Sequence, residues 1–293
     1  MNQNFHNWVL AARPKTLPAA IAPVMMGTAM AFADGLVHWK SAAIALIAAL
    51  SIQIGTNLAN DYYDHKKGAD RANRVGPIRV TQAGLIKAGW VKAGFLIFFL
   101  ISAVACTYLV QRGGWPIAVI GIASILSGIL YTAGPFPLAY IGLGELFVLI
   151  FFGPVAVGGT YYIQALEINP AILLSGLAPG LLSVAILSIN NLRDIETDRE
   201  SQKKTLAVRF GKSFAIYEYL VSVLAACLIP VAVYWLTRDY FHSLIGVLTL
   251  FFAIPVIKNV LMKPEGPTLN SALAHTGRLL LIYSILFSVG WIV

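Results

Sequence analysis

The chain is poor in charge. Asp, Glu, Lys and Arg make up 12% of its 293 residues, about half the share of a soluble domain. With 58% of residues hydrophobic, that scarcity rules out a water-facing surface over most of the molecule. The only two cysteines, Cys106 and Cys227, both lie inside apolar runs. They offer no metal-ligand spacing, no disulfide is expected, and they read as small core residues. The five histidines include no i,i+4 pair, which argues against a zinc site. No apolar run alternates with period two, so a β-barrel is not expected. No Gly-, Pro- or Ser-rich linker and no low-complexity block divides the chain, so residues 1–293 read as one domain. The N-terminal region lacks the small-residue cleavage site of a signal peptide, and its apolar stretch contains Pro18 and Pro23.

What the chain has is long apolar runs. Nine of them, at about 17–33, 42–59, 93–110, 116–131, 146–163, 171–189, 214–235, 242–257 and 272–293, approach the roughly 20 residues that span hydrocarbon as a helix. The expected fold is an all-α polytopic membrane protein, with nine transmembrane helices around a central cavity. Segments 1–16, 60–92, 190–213 and 258–278 hold 18 of the 21 Lys and Arg residues, leaving Lys40, Arg112 and Arg238 for the other side. Basic residues collect in cytoplasmic loops. The expectation is therefore a multi-pass protein of the cell (inner) membrane, with its N-terminus and large loops inside and its C-terminus outside. The net charge of +8 points to anionic lipid and anionic substrate as partners. The basic loops contain no nucleic-acid-binding module, so no such partner is expected.

Two polar stripes end apolar runs: Gln53-Ile-Gly-Thr-Asn57-Leu-Ala-Asn60-Asp61-Tyr-Tyr-Asp64, and Ser188-Ile-Asn190-Asn191-Leu-Arg193-Asp194-Ile-Glu196-Thr-Asp198. At helical spacing each gathers amides and carboxylates on one face. Ionisable groups at the membrane end of an apolar helix are costly and commonly mark a substrate or ion path. Mg²⁺ is usually held by a few carboxylates together with water and substrate phosphate. Asp61, Asp64, Asp194 and Asp198 suit such a partial shell, and Asn57, Asn190 and Asn191 could add amide oxygens, orient the carboxylates or contact substrate. Lys66, Lys67, Arg71, Arg74, Arg79, Arg193, Arg199, Lys203 and Lys204 could neutralise the remaining phosphate charge. Asp70, Glu196 and Glu200 read equally well as solvated loop charges. A diphosphate clamped this way is a good leaving group, and the surrounding apolar helices would hold a lipid tail and exclude water.

These motifs resemble the UbiA-type superfamily of intramembrane prenyltransferases, through Asn60-Asp61-Tyr-Tyr-Asp64 and Asp194-Ile-Glu-Thr-Asp198. The resemblance extends to Arg79-Val-Thr-Gln-Ala-Gly84 and to the stretch from Lys203 to Gly211. A narrower likeness joins Ala12-Arg13-Pro14-Lys15, Gly76-Pro77-Ile-Arg79, Tyr131-Thr-Ala-Gly-Pro135-Phe-Pro137-Leu and Gly142-Leu-Gly144-Glu145. It is to the branch that prenylates 1,4-dihydroxy-2-naphthoate. Ala133 stands where that branch often has a second glycine. The resemblance implies Mg²⁺-dependent transfer of a polyprenyl group from polyprenyl diphosphate to dihydroxynaphthoate, with loss of CO₂ and formation of demethylmenaquinone. It assigns metal-diphosphate binding to Asp61, Asp64, Asp194 and Asp198, and phosphate contact to Arg79, Lys203 and Lys204. It places Tyr131 beside the allylic cation or the ring, Glu145 at the aromatic site, and Arg13 as a candidate for the naphthoate carboxylate.

Two other readings stand beside this one. A prenyltransferase could take another acceptor, such as 4-hydroxybenzoate or haem. A polytopic ion transporter would instead place ionisable groups near the bilayer midplane, whereas here they sit at one end of the runs. Asp61 and Asp194 are each expected to act as a ligand and not as a packing group. The charge asymmetry makes a direct prediction. Cysteines introduced at positions 70 and 202, in a background lacking Cys106 and Cys227, will react with an impermeant thiol reagent from the cytoplasmic side only; labelling from outside would invert the topology.

Overall fold

The computed structural model describes residues 3–68, 76 and 78–293. Asp70, Arg71, Arg74 and Pro77, named above, lie outside the described residues. Helices occupy every apolar run, and among the described residues there is no strand. In chain order they are α1 (Gln3–Ala12), α2 (Pro18–Ala33), α3 (Trp39–Lys66), α4 (Ala88–Gly113), α5 (Trp115–Leu130), α6 (Gly144–Phe151), α7 (Pro154–Ala165), α8 (Pro170–Arg193), α9 (Ile195–Glu200), α10 (Leu206–Phe210), α11 (Lys212–Thr237), α12 (Thr249–Met262) and α13 (Gly266–Ile292).

Among the described residues, seven helices are long and apolar enough to cross a membrane, counting α6 with α7, and α12 with the 3₁₀ turn before it, as single spans. The protein is a multi-pass membrane protein. The expected count of nine uniform spans is modified in three places. The first run begins as a broken pair, with α1 and its 3₁₀ turn bent 55° from α2; Pro14 and Pro18 disfavour helix at the residues before them. The fourth, α5, has 16 residues and is short for a full crossing. The fifth run is not continuous. Pro154 cannot donate to the preceding turn, so the helix stops at Phe152–Gly153 and restarts with Pro154 in the first helical position.

The break in the fifth span is also where two helices pack closely. A Cβ on Gly153 would lie 2.8 Å from the Gly176 carbonyl oxygen, and one on Gly180 would lie 3.0 Å from Gly153 Cα. Gly176 and Gly180 are four apart on α8, the spacing that lets helix backbones approach in a membrane. A large buried cluster ties α2, α7, α8, α11, α12 and α13 together around Met26, Met30, Leu182, Ile189, Tyr219, Tyr283 and Phe287. A smaller one joins α1, α3 and α4 through Leu58, Phe95 and Phe99 and includes Val80 and Ile86 of the following loop.

Between these clusters lies a cavity of about 290 Å³, lined by α2 to α7. Its walls include many small residues, among them Ala19, Ala45, Ala48, Gly121, Ser124, Gly128 and Gly159. Small side chains leave the volume open, and larger ones would fill it. One end is closed by apolar Leu109, Ile117 and Ile163, and the other carries Gln53, Asn57, Asn60 and Tyr131. Beyond the apolar end, Arg112 donates from Nε to the Ile163 carbonyl at 2.8 Å and from Nη2 to the Gln164 carbonyl at 2.9 Å. It thereby caps the last turn of α7.

Gly180→Val will force this contact apart and lower the thermal-unfolding temperature in detergent, whereas Gly89→Ala, where nothing stands within 4 Å, will not. Equal unfolding temperatures for the two variants would contradict the close-approach account.

Candidate functional site

The two polar stripes meet. Asp64, at the end of α3, is buried and surrounded by donors. Its Oδ2 accepts from Arg79 Nη2 and from Lys203 Nζ, both at 3.1 Å, and its Oδ1 accepts the Tyr140 hydroxyl at 3.0 Å. The Lys203 ammonium also stands 3.9 Å from Asp198 Oδ1. One cation therefore sits between a carboxylate of the first motif and one of the second, 134 residues apart in sequence. The Tyr140 ring forms the floor, with Lys67 Nζ 4.4 Å and Lys203 Nζ 5.0 Å from its centroid. Lys67 donates to the Thr132 carbonyl at 2.8 Å, and the Thr132 hydroxyl donates to Asn60 at 2.9 Å. Burial lowers the Lys67 pKa below the usual lysine value, with Asp64 opposing that shift and Lys203 adding to it. Three cations crowded around one carboxylate make a chamber that attracts an anion.

The other two motif aspartates are used differently. Asp61 Oδ2 accepts the Val80 amide and Oδ1 the Thr81 amide, each at 3.0 Å. It pins the loop that carries Arg79 into the chamber. Asp194 accepts from Arg193 at both oxygens, at 2.7 and 2.8 Å. The buried Arg193 guanidinium also donates to Asn190 at 2.7 Å and to Asn270 of α13 at 3.0 Å. The ligand role expected of Asp61 and Asp194 is therefore joined by a structural one. Each satisfies buried donors that would otherwise be left bare, and that carries a stability cost.

Among the described residues, no three Asp, Glu, His or Cys side chains converge tightly enough to hold a metal by themselves. Asp64 and Asp198 nevertheless face a common cation, the Lys203 ammonium. That is the donor set of a cation site completed by phosphate, the form Mg²⁺ sites usually take. These residues fit a divalent metal whose remaining ligands the protein does not supply.

The remaining sequence-derived candidates lie around this centre. Asn57 donates to the Ala12 carbonyl and to the Thr16 hydroxyl, both at 3.0 Å, and Gln53 donates to the same hydroxyl at 3.2 Å. Together they hold the turn in which Arg13 takes a left-handed backbone, φ 52°. Arg13 lies within electrostatic reach of Tyr131, as do Glu145, Asp198 and Asp64. Tyr131 thus stands where the charged chamber opens into the apolar cavity. Glu145 is buried and accepts from Asn191 at 2.8 Å. The exception is Lys204, whose backbone, not its side chain, is used: its N–H donates to the Tyr140 carbonyl at 3.0 Å and its carbonyl accepts from Arg209 at 3.0 Å.

Tyr140 and Thr132 had no assigned role in the sequence reading. A tyrosine in a Pro-rich loop gives no sign that its ring will support two lysines, and only the fold brings it to Asp64. Asp61→Ala removes the acceptor for two buried amides. It will lower stability by about 1–3 kcal/mol, seen as a drop in unfolding temperature alongside lost activity. Asp61→Asn, which keeps one acceptor, will lower stability less. An unchanged unfolding temperature for the alanine variant would restore the ligand-only view.

Comparison with known proteins agrees with this architecture. The model of the UbiA prenyltransferase family matches residues 20–274. The chain is 39% identical to the 1,4-dihydroxy-2-naphthoate octaprenyltransferase of Escherichia coli (strain K12), over 97% of this chain and 94% of that protein. It is 44% identical to the protein of the same name from Mycobacterium tuberculosis (strain ATCC 25618 / H37Rv), over 75% of this chain and 76% of that one. A solved UbiA homolog from Archaeoglobus fulgidus bound to GPP and Mg²⁺ shares the fold, with a TM-score of 0.70 at 15% identity over 98% of this chain and 99% of that one. From its chamber of paired motifs to its apolar cavity, the chain belongs to the UbiA prenyltransferase family.

Proposed function

We propose that this protein transfers a polyprenyl group from polyprenyl diphosphate to 1,4-dihydroxy-2-naphthoate, releasing diphosphate and CO₂ and giving demethylmenaquinone. The observation that carries the proposal is the junction at Tyr131. On one side lie Arg79, Lys203 and Lys67 around Asp64 and Asp198, and on the other an apolar cavity. A molecule with a charged head and a long hydrocarbon tail matches both. The choice of acceptor rests on the names of the relatives that align along most of the chain.

In this reading Arg79, Lys67 and Lys203 bind the diphosphate. Asp64 and Asp198 hold a divalent metal, Mg²⁺, which when bound neutralises the leaving diphosphate. Lys203 then exchanges carboxylate partners for phosphate ones. Tyr131 sits at the carbon that becomes cationic, and its ring face stabilises positive charge there. Phe147 and Phe151, stacked at 5.9 Å, line the cavity and help keep water from that carbon. Arg13, placed by Gln53 and Asn57, meets the naphthoate carboxylate. The chain works as one domain in the cell membrane, with the chamber on the cytoplasmic side where both substrates arrive.

The test is competition. Purified protein in detergent, given Mg²⁺, one polyprenyl diphosphate and equal dihydroxynaphthoate and 4-hydroxybenzoate, will form demethylmenaquinone and CO₂. Dominant prenyl-hydroxybenzoate would overturn the acceptor and leave the prenyltransferase chemistry standing.

A further inference from the structure

Two carboxyl groups stand apart from the diphosphate chamber. Glu145 opens α6 and is buried, with Oε1 accepting from Asn191 Nδ2 at 2.8 Å. Glu218, in the second turn of α11 and half-buried, accepts the Ser188 hydroxyl at Oε2 at 2.5 Å. Ser188 and Asn191 are three apart on α8 and share one face. That face brings the two carboxyl groups within electrostatic reach of each other. Among the described residues, no Lys, Arg or His pairs with either one. Glu145 is also within electrostatic reach of Tyr131, whose hydroxyl lies 3.2 Å from where a Cβ on Gly144 would be. The pair therefore stands next to the junction where chamber meets cavity.

An acid inside an apolar helix marks a functional group by default. Two neighbouring carboxyl groups with no cation partner among the described residues favour sharing one proton over both carrying charge, which suits the pair to take up a proton and to give one back. The reaction proposed above has a use for both. In 1,4-dihydroxy-2-naphthoate the 4-hydroxyl pushes electrons toward C3, the ring carbon that bears hydrogen, while the carboxyl group sits on C2. Attack from C3 therefore requires a proton to leave C3 and another to reach C2.

We propose that Glu145 and Glu218 are the proton-exchange pair for the aromatic acceptor, an inference that rests on the naphthoate reading. A bond forms between C3 and the prenyl carbon as the prenyl C–O bond breaks, and its electron pair leaves with diphosphate. The C3 proton passes to Glu145, restoring the aromatic ring. Glu145 then returns a proton to C2. The C2–carboxylate bond breaks, CO₂ departs, and its electron pair restores the ring a second time. One proton is taken and one returned, so the pair ends as it began. Glu145 is the member next to the junction. Glu218 acts through it, by sharing the proton of the pair, and is a positioning residue.

The experiment uses substrate labelled with ¹³C at the carboxyl-bearing ring carbon. With the wild-type protein, Mg²⁺ and a polyprenyl diphosphate, the labelled carbon will bear hydrogen in the product. Glu145→Gln and Glu218→Gln will each lower kcat more than tenfold and leave KM for the polyprenyl diphosphate unchanged. Calorimetric binding of Mg²⁺-polyprenyl diphosphate by both variants will confirm an intact chamber. Ser188→Ala, which keeps the carboxyl group and removes its donor, will lower kcat with the same unchanged KM, so the role of Glu218 remains testable if Glu218→Gln does not fold. A prenyl chain on the labelled carbon means attack at C2, where no proton need move, and overturns the pair; so does wild-type kcat in the Gln variants. Absence of CO₂ from the wild type would be the failure of the naphthoate reading itself, recognisable before any variant is made, and the pair would fall with it.

Discussion

The organisation of this site depends on one ammonium held between two carboxylates. Lys203 bridges Asp64 at 3.1 Å and Asp198 at 3.9 Å, so the end of α3 and the short α9 that follows α8 are joined by charge. Buried carboxylates so close would repel each other without a cation between them. Arg79 and the Tyr140 hydroxyl complete the shell on Asp64, and Asp61 holds the loop that delivers Arg79. Removing any one member takes a partner from another buried charge or donor, which in a low-dielectric interior costs more than an intact pair contributes. This balance also gives a chamber that can exchange internal ion pairs for contacts with a charged ligand.

The same end of the bundle borders a space made by omission. Alanine, glycine and serine along α2, α3, α5 and α7 leave the cavity open, while Gly153, Gly176 and Gly180 let α8 press against the broken fifth span. The break and the close contact have one cause. Gly153 accepts the tight approach, and Pro154 ends one helix and begins the next. Gly144 and Glu145 at the start of α6 are thereby held beside Tyr131, at the polar mouth of the cavity.

Much of this could be read from the chain alone, because its strongest signals are local. Long apolar runs mean membrane helices whatever packs around them, and the Asn and Asp stripes at the ends of α3 and α8 could be seen from spacing. The breaks were less legible. Gly153-Pro154 stands inside an otherwise uninterrupted apolar run, and hydropathy averages over it. The division of labour among the aspartates was not legible at all. Asp61 and Asp64 are one helical turn apart, yet one binds backbone amides and the other cations, a difference set by a loop that returns from residues 79 to 81. Tyr140 gains its role only from the long-range meeting of its loop with Lys67 and Lys203. Glu218, by contrast, carried an unused signal: it is the only acid in the run 214–235, where a charge is expensive without a purpose.

The central claim is that Asp64 and Lys203 act as one unit in receiving a metal-bound diphosphate. A double-mutant cycle tests it most directly. Asp64→Asn, Lys203→Met and the double variant would be titrated calorimetrically with polyprenyl diphosphate in the presence of Mg²⁺. Residues in direct ionic contact give coupling energies of about 0.5–3 kcal/mol, so the double variant is predicted to bind less weakly than the two single losses added together. Additive losses would show that the two side chains meet the ligand independently and would contradict the account.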